Sequence, residues 1–315
     1  MRCAASKSSS LSQFRPSSVL LQRRELASHR DVTCKQTPYQ KRENVGDWGY
    51  GQFDICGKVF VVTGGGQGLG FSIAEGLVEA GGTVHVLDKS SKPTPEFEEA
   101  RKRVKDESEG ALEYHQADVS DQDVLGEVIS EIAARKQRLD GLVAAAAIQQ
   151  VTKAIHYKKA DINKMLAVNY TGVLLTAQAC AREMLKYKIE GSMCLVASMS
   201  GTIANRGLDA PVYNSSKAAV VQLARNLAME WGRKRSDGSG GIRVNTLSPG
   251  HIVTPMVEEN FRRGEADRSE WENNSMLGRI SAPEEYKAVA LFMLSKASSY
   301  MTGHDMKMDG GTTAW

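Results

Sequence analysis

From Gly57 onward, short runs of β-branched and aliphatic residues alternate with longer stretches of helical periodicity. KVFVVTG, TVHVLD, ALEYHQAD, GLVAAAA, SMCLVAS and GIRVNTLSPG read as strands. The chain between successive strands is long enough for a crossover helix, and repeated strand, helix, strand units build a mostly parallel sheet covered on both faces. The fold class is therefore α/β, doubly wound, in one main domain of about residues 53–315. The segment RKRSDGSGG, between Trp231 and Ile242, is too charged and glycine-rich to pack and reads as a surface loop. No internal repeat interrupts the pattern.

Composition narrows the classes. The 315 residues are 41% apolar, enough for a substantial core, and the formal charge is +3. Residues 1–52 hold nine Lys/Arg against four Asp/Glu, so the remaining 263 residues sum to −2. A body near neutrality argues against a nucleic-acid surface, which needs clustered basic side chains. No apolar run is long enough to span a bilayer. The five cysteines are odd in number and lack a CxxC pair, and the six histidines show no ligand spacing. Unpaired cysteines, a reducing compartment and no metal are expected.

The first 52 residues are rich in Ser and Arg, and their first acidic residue is Glu25. Arg15, Arg23 and Arg24 among Leu11, Phe14, Leu20 and Leu21 have the composition of a mitochondrial transit peptide. The alternative is a leader with no address, or a start placed upstream of the true one, with the enzyme body then cytoplasmic.

Candidate chemistry begins at TGGGQGLG, Thr63 to Gly70, between the first strand and the helix starting near Gly68. Gly64, Gly68 and Gly70 fall where a backbone must turn sharply and let a pyrophosphate approach a helix N-terminus. Such a loop also serves plain strand-to-helix packing. Asp88, closing VHVLD, adds a carboxylate able to bond both ribose hydroxyls and repel a 2′-phosphate. NAD is thus the preferred cofactor, with NADP left open by neighbouring Lys89. Asp118, ending ALEYHQAD, can reach the adenine edge.

Tyr213 and Lys217 stand one helical turn apart in PVYNSSKAAV, and Ser198 lies upstream in VASMSG. A free tyrosine has a pKa near about 10 and transfers protons poorly at neutral pH unless a positive charge stabilises its phenolate. Lys217, at i+4 on the same helix face, can supply that charge. Ser198 can hydrogen-bond the substrate oxygen, and Asn169 in MLAVNYTG can hold a water that passes protons to the lysine. Taken alone, the Tyr/Lys spacing would equally suit an amphipathic helix surface, and Asn169 a helix irregularity.

Taken in order, these segments resemble the short-chain dehydrogenase/reductase family from about Phe53 to the C-terminus. TGGGQGLG looks like its cofactor loop, VNYTG its asparagine segment, VASMSG its serine strand, YNSSK its catalytic pair and SPGHIVT its nicotinamide clamp. The resemblance implies a single Rossmann-type domain with a seven-stranded sheet, assembled as a homotetramer or homodimer. It implies Tyr213 as general acid/base, Lys217 as its tuner and ribose anchor, Ser198 as the substrate-orienting hydroxyl and Asn169 as relay support. Ser200 is the rival to Ser198, which aligns better. The implied cofactor set is Thr63, Gly64, Gln67, Gly68, Leu69, Gly70, Asp88, Asp118, Val119, Ala146, Tyr213, Lys217, Pro249, Gly250, Ile252 and Thr254, with no metal.

One departure stands out: the family's NNAG after the fourth strand is Ala144-Ala145-Ala146-Ala147 here. The lost amides predict weaker support beside the adenosine. More narrowly, AVNYTG, ASMSG, AMEWG and the ending MTGHDMKMDGGTTAW resemble the polyol dehydrogenase and ketose reductase branch. Substrate choice falls to Met256–Met276, whose stretch FRRGEADRSEW is expected to be mobile, and where Arg262, Arg263 and Arg268 either meet an anionic substrate or form a solvated helix face. The leading expectation is NAD(P)-linked interconversion of a secondary alcohol and a ketone on a polyol or ketose. The alternatives are a secondary-metabolite, steroid-like or acyl carbonyl, or a non-catalytic nucleotide sensor.

Overall fold

The computed structural model describes residues 50–107 and 110–315. The leader falls almost wholly outside the described residues. Its last residues belong to a 3-10 turn, Tyr50–Phe53, whose Phe53 ring packs 6.4 Å from that of Phe292.

Strands and helices alternate as β1 (Val59–Thr63), α1 (Gly68–Glu79), β2 (Thr83–Asp88), α2 (Pro95–Glu107), β3 (Ala111–Gln116), α3 (Gln122–Lys136) and β4 (Gly141–Ala144). The second half runs α4 (Lys159–Leu166), α5 (Val173–Lys186), β5 (Ser192–Val196), α6 (Pro211–Trp231), β6 (Arg243–Pro249), α7 (Pro255–Arg262), α8 (Arg268–Asn273), α9 (Lys287–Leu294) and β7 (Asp305–Met308). All seven strands pair in parallel, in the order β3-β2-β1-β4-β5-β6-β7. Because the order reverses between β1 and β4, a crevice opens at the carboxyl ends of these two strands.

A parallel strand covered on both faces must be apolar throughout, which is why VFVVT in β1 is buried at every position. Leu125 and Ile129 of α3, Ala177 and Cys180 of α5 and Val220 of α6 pack on one face. Ile73 and Leu77 of α1, Phe97 of α2 and Met293 of α9 pack on the other. The six strands read from the sequence are present. The seventh, β7, is the short and only partly buried DMKM, whose two core-packed methionines, Met306 and Met308, are too few to mark a strand by themselves and which pairs with β6.

Two expectations change. Cys180 and Cys194 are free and buried, but Cys56 is disulfide-bonded, so the reading of five unpaired cysteines is corrected there. The substrate-choosing segment, whose stretch FRRGEADRSEW was expected to be mobile, holds α7 and α8, each started by a side-chain cap. Thr254 accepts from the Val257 N–H, and Asp267 from those of Ser269 and Glu270. Among the described residues no helix is long and apolar enough to cross a membrane.

Candidate active site

A cavity of about 620 Å³ opens at the crevice. Its floor is the loop from β1 to α1. Gly64 and Gly68 have φ of +64° and +60°, which side chains rarely tolerate. A Cβ on Gly64 would lie 2.6 Å from the Ala146 Cα, so the chain leaving β1 can pass this close to the chain leaving β4 only as glycine. Gln67, the N-cap of α1, makes no side-chain capping bond, which leaves the first-turn N–H groups available to an anion. The Asp88 carboxylate accepts from the Gly66 N–H at 3.1 Å and the Ser90 N–H at 3.1 Å. It therefore stands beside the loop with further lone pairs facing the cavity. Asp118 accepts from the Ser120 N–H and hydroxyl, bonds that hold its pKa below the usual carboxylate value. A glycine cradle at an uncapped helix start with a carboxylate one strand away fits an adenine dinucleotide, and Gly64 to Gly70, Asp88 and Asp118 would hold it.

Across the cavity stand Ser198, Tyr213 and Lys217. Ser198 follows β5 and caps a short 3-10 turn, accepting from the Ser200 N–H at 3.2 Å. Tyr213 and Lys217 lie in the first two turns of α6, which Pro211 initiates. Burial raises the pKa of the Tyr213 phenol, and a hydrogen bond from Ser198 opposes the rise. Ser200 lines the cavity too. Lys217 is 2% exposed, donates to the Val196 carbonyl at 2.8 Å and lies 5.8 Å from the Tyr213 ring centre. Burial pushes its ammonium down to about 8. Burial thus brings the lysine itself into the titrating range, and the set can hold a reacting oxygen and exchange its proton.

Asn169 and Thr63 stand behind the cavity wall. Asn169 lies in a π-helical turn, Ala167–Gly172, joining α4 to α5. Its amide donates to the Ile148 carbonyl at 2.9 Å and the Ser216 hydroxyl at 3.1 Å, while its Oδ1 accepts from the Ile148 N–H at 2.9 Å. Both amide donors are spent on bracing, which leaves one lone pair of Oδ1. Thr63 accepts from the Ala146 N–H at 3.4 Å through Oγ1. The alanine run is thus held by the Thr63 carbonyl, which accepts from the Ala145 N–H at 3.2 Å, and by the Thr63 hydroxyl, while Asn169 holds the next residue, Ile148.

The remaining predicted positions, Gln67, Leu69, Val119, Ala146, Pro249, Gly250, Ile252 and Thr254, line the cavity with the residues above. The substrate side adds Met256, Val257 and Trp271 of the segment read as choosing the substrate, and Gln149 and Leu208, which sequence reading missed. His251 stacks on Trp271 with centroids 3.6 Å apart, and burial pushes its pKa down to about 4, so it is neutral. Arg262 and Arg263 both pair with Glu259, and Arg268 with Glu272, and the three arginines are exposed and not among the residues lining the cavity. Away from the cavity, His85, Glu113 and His115 bring their ligand atoms within 4.8 Å of one another, a grouping across β2 and β3 that linear spacing hides. The two imidazoles bond each other at 3.0 Å and Arg135 bonds Glu113 at 2.6 Å, so these donors and acceptors are spent internally.

Comparison with known proteins agrees with this geometry. A family model described as enoyl-(acyl carrier protein) reductase matches residues 64–313. A short-chain dehydrogenase/reductase of Aspergillus versicolor, notP′, is 38% identical over 84% of this chain and 89% of its own length. The galactitol 2-dehydrogenase of Rhizobium johnstonii is 36% identical over 84% of this chain and 98% of its own. The NADH-dependent L-xylulose reductase of Ambrosiozyma monospora is 33% identical over 84% and 97%. A crystal structure of a short-chain dehydrogenase/reductase from Mycobacterium marinum superposes with a TM-score of 0.76 at 33% identity, over 84% of this chain and 99% of that one. The chain belongs to the short-chain dehydrogenase/reductase family and is an NAD(P)-dependent oxidoreductase that interconverts a secondary alcohol and a ketone.

Proposed function

We propose that the enzyme interconverts a polyol and its ketose, prefers NAD, and uses Tyr213 as the group that exchanges a proton with the reacting oxygen. The observation that carries this reading is the convergence of Ser198, Tyr213 and Lys217 on the cavity that the glycine loop and Asp88 also line.

In the oxidation direction, Tyr213 takes the hydroxyl proton while Ser198 hydrogen-bonds the same oxygen and fixes its position. To take that proton Tyr213 must stand as a phenolate, whose charge the Lys217 ammonium offsets, and Lys217, with its proton labile near pH 8, hands the proton on. Asn169, through its one remaining Oδ1 lone pair, would hold the water next in line. When bound, the nicotinamide accepts hydride from the alcohol carbon and returns it in reduction. Ile252 and Thr254 would hold its carboxamide, and Asp88 would bond the ribose hydroxyls and repel a 2′-phosphate.

The polyol reading is supported by the galactitol and xylulose enzymes at 36% and 33% identity, and the NAD preference by Asp88. A second reading, a bulky apolar ketone, is favoured by the wall of Leu208, Met256, Val257 and Trp271. Absorbance of the reduced nicotinamide, followed with NAD or NADP and a panel of polyols, simple secondary alcohols and bulky ketones, separates the two. Reduction of NAD by a polyol supports the first. Turnover confined to bulky substrates supports the second, and binding of NAD without any turnover supports a non-catalytic sensor. Assembly as a homotetramer or homodimer through the long helices α5 and α6 belongs to the same proposal and is checked by light scattering.

A further inference from the structure

The substrate side of the cavity is built around an apolar cluster. Leu208, Trp271 and Ile280 form its buried part, with Val257, Phe261 and the Tyr213 ring packed against them. A site of this kind would accept a plain ketone and leave extra hydroxyls of a polyol without partners. Gln149 breaks the pattern. It follows the alanine run after β4, lines the same cavity as Ser198 and Tyr213, and reaches α7 across 111 residues of sequence. There the buried Asn260 donates through Nδ2 to the Gln149 Oε1 at 2.9 Å.

That bond fixes which end of the Gln149 carboxamide is used up. With Oε1 accepting from Asn260, the two Nε2 hydrogens remain, and no protein group among the described residues takes them. Nor is Nε2 among the buried side-chain atoms that lack a partner, so it is solvent-accessible, on a residue that lines the cavity. A donor held this way, next to a wall that offers little else to a hydroxyl, is a means of choosing between substrates. An occupant bringing a hydroxyl oxygen satisfies it, whereas an apolar occupant covers it and leaves it unpaired.

We propose that Gln149 is a specificity-determining residue that donates to a substrate hydroxyl other than the one being oxidised, and that Asn260 is the positioning residue that keeps its amide hydrogens turned to the cavity. This rests on the polyol reading above and identifies what in this chain enforces it. The substrate class is a vicinal polyhydroxy alcohol and its ketose, as opposed to a mono-alcohol of the same carbon number.

The test uses the full chain and one matched pair, a pentitol and 2-pentanol, with kcat and KM measured for each under saturating NAD. Wild-type enzyme is expected to favour the pentitol. Gln149→Leu, close to isosteric, is expected to reduce the ratio of the two kcat/KM values by about 10- to 100-fold, chiefly through the pentitol KM. Asn260→Asp removes the donor that orients Gln149 and is expected to lower the same ratio. NAD affinity, read by quenching of tryptophan fluorescence, stays within about twofold in both variants and reports that each has folded; if one does not fold, the other decides. A wild-type enzyme that prefers 2-pentanol overturns the polyol reading and this inference with it. A wild-type preference for the pentitol that survives in the folded variants overturns the role of Gln149 alone.

Discussion

The Lys217 ammonium nitrogen stands 5.8 Å from the centre of the Tyr213 ring and donates to the Val196 carbonyl at 2.8 Å. The lysine is thereby tied to the end of β5 as well as to the tyrosine one turn before it. Burial lowers its pKa from 10.5 to about 8, so in the folded state the charged form is disfavoured.

The sign of the consequence for stability follows. Between pH 8 and 10.5 the unfolded chain binds more protons at this position than the folded one, so this group makes stability rise with pH in that window. Its penalty is fully present below about pH 8. Lys217→Met removes the titrating group, and the gain in urea midpoint between pH 7.5 and 9.5 is expected to be smaller in the variant than in the wild type. Equal gains would show that Lys217 does not titrate with a lowered pKa.

Asp88 both braces the Gly66 N–H and faces the cavity. Asp88→Ala is expected to lower kcat/KM with NAD and raise it with NADP, moving the ratio of the two by about 10-fold or more, since a 1.4 kcal/mol change in relative binding is a factor of ten. The ratio is measured with one alcohol and both cofactors. An unchanged ratio would remove the carboxylate from cofactor choice.

Asn169 is fully buried and joins the π-turn to Ile148 and Ser216. Asn169→Ala leaves the part-buried Ile148 N–H and carbonyl without their side-chain partner. The expected loss is about 2–6 kcal/mol of unfolding free energy, at about 1–3 kcal/mol for each of the two unpaired groups. Chemical denaturation measures it, and a loss below about 0.5 kcal/mol would contradict the bracing role.

What the sequence made legible was what local pattern controls. The apolar run of β1, the glycines after it and the one-turn spacing of Tyr213 and Lys217 are short-range signals, and the structure brings them together as read. What it concealed depends on contacts between distant segments. The strand DMKM pairs with β6, and its two core-packed methionines are too few to mark it by themselves. The cluster of His85, Glu113 and His115 exists only because β2 and β3 are in register. The bond between Gln149 and Asn260 spans 111 positions. Asn169 offered a local sign, an amide inside a helical pattern, but its use as a brace needed the three-dimensional position of Ile148. The stretch FRRGEADRSEW looked mobile because its charges are dense, yet Thr254 and Asp267 were capping signals that mark the starts of α7 and α8.

The most direct test of the acid/base assignment is Tyr213→Phe, which removes one oxygen and keeps the ring in its apolar cluster. With an active alcohol, kcat is expected to fall by about 10²- to 10⁴-fold, the range a positioned proton-transfer group contributes, while NAD affinity changes by less than about twofold. Turnover near the wild-type level in a variant that binds NAD normally would contradict the account and move the proton transfer to another group.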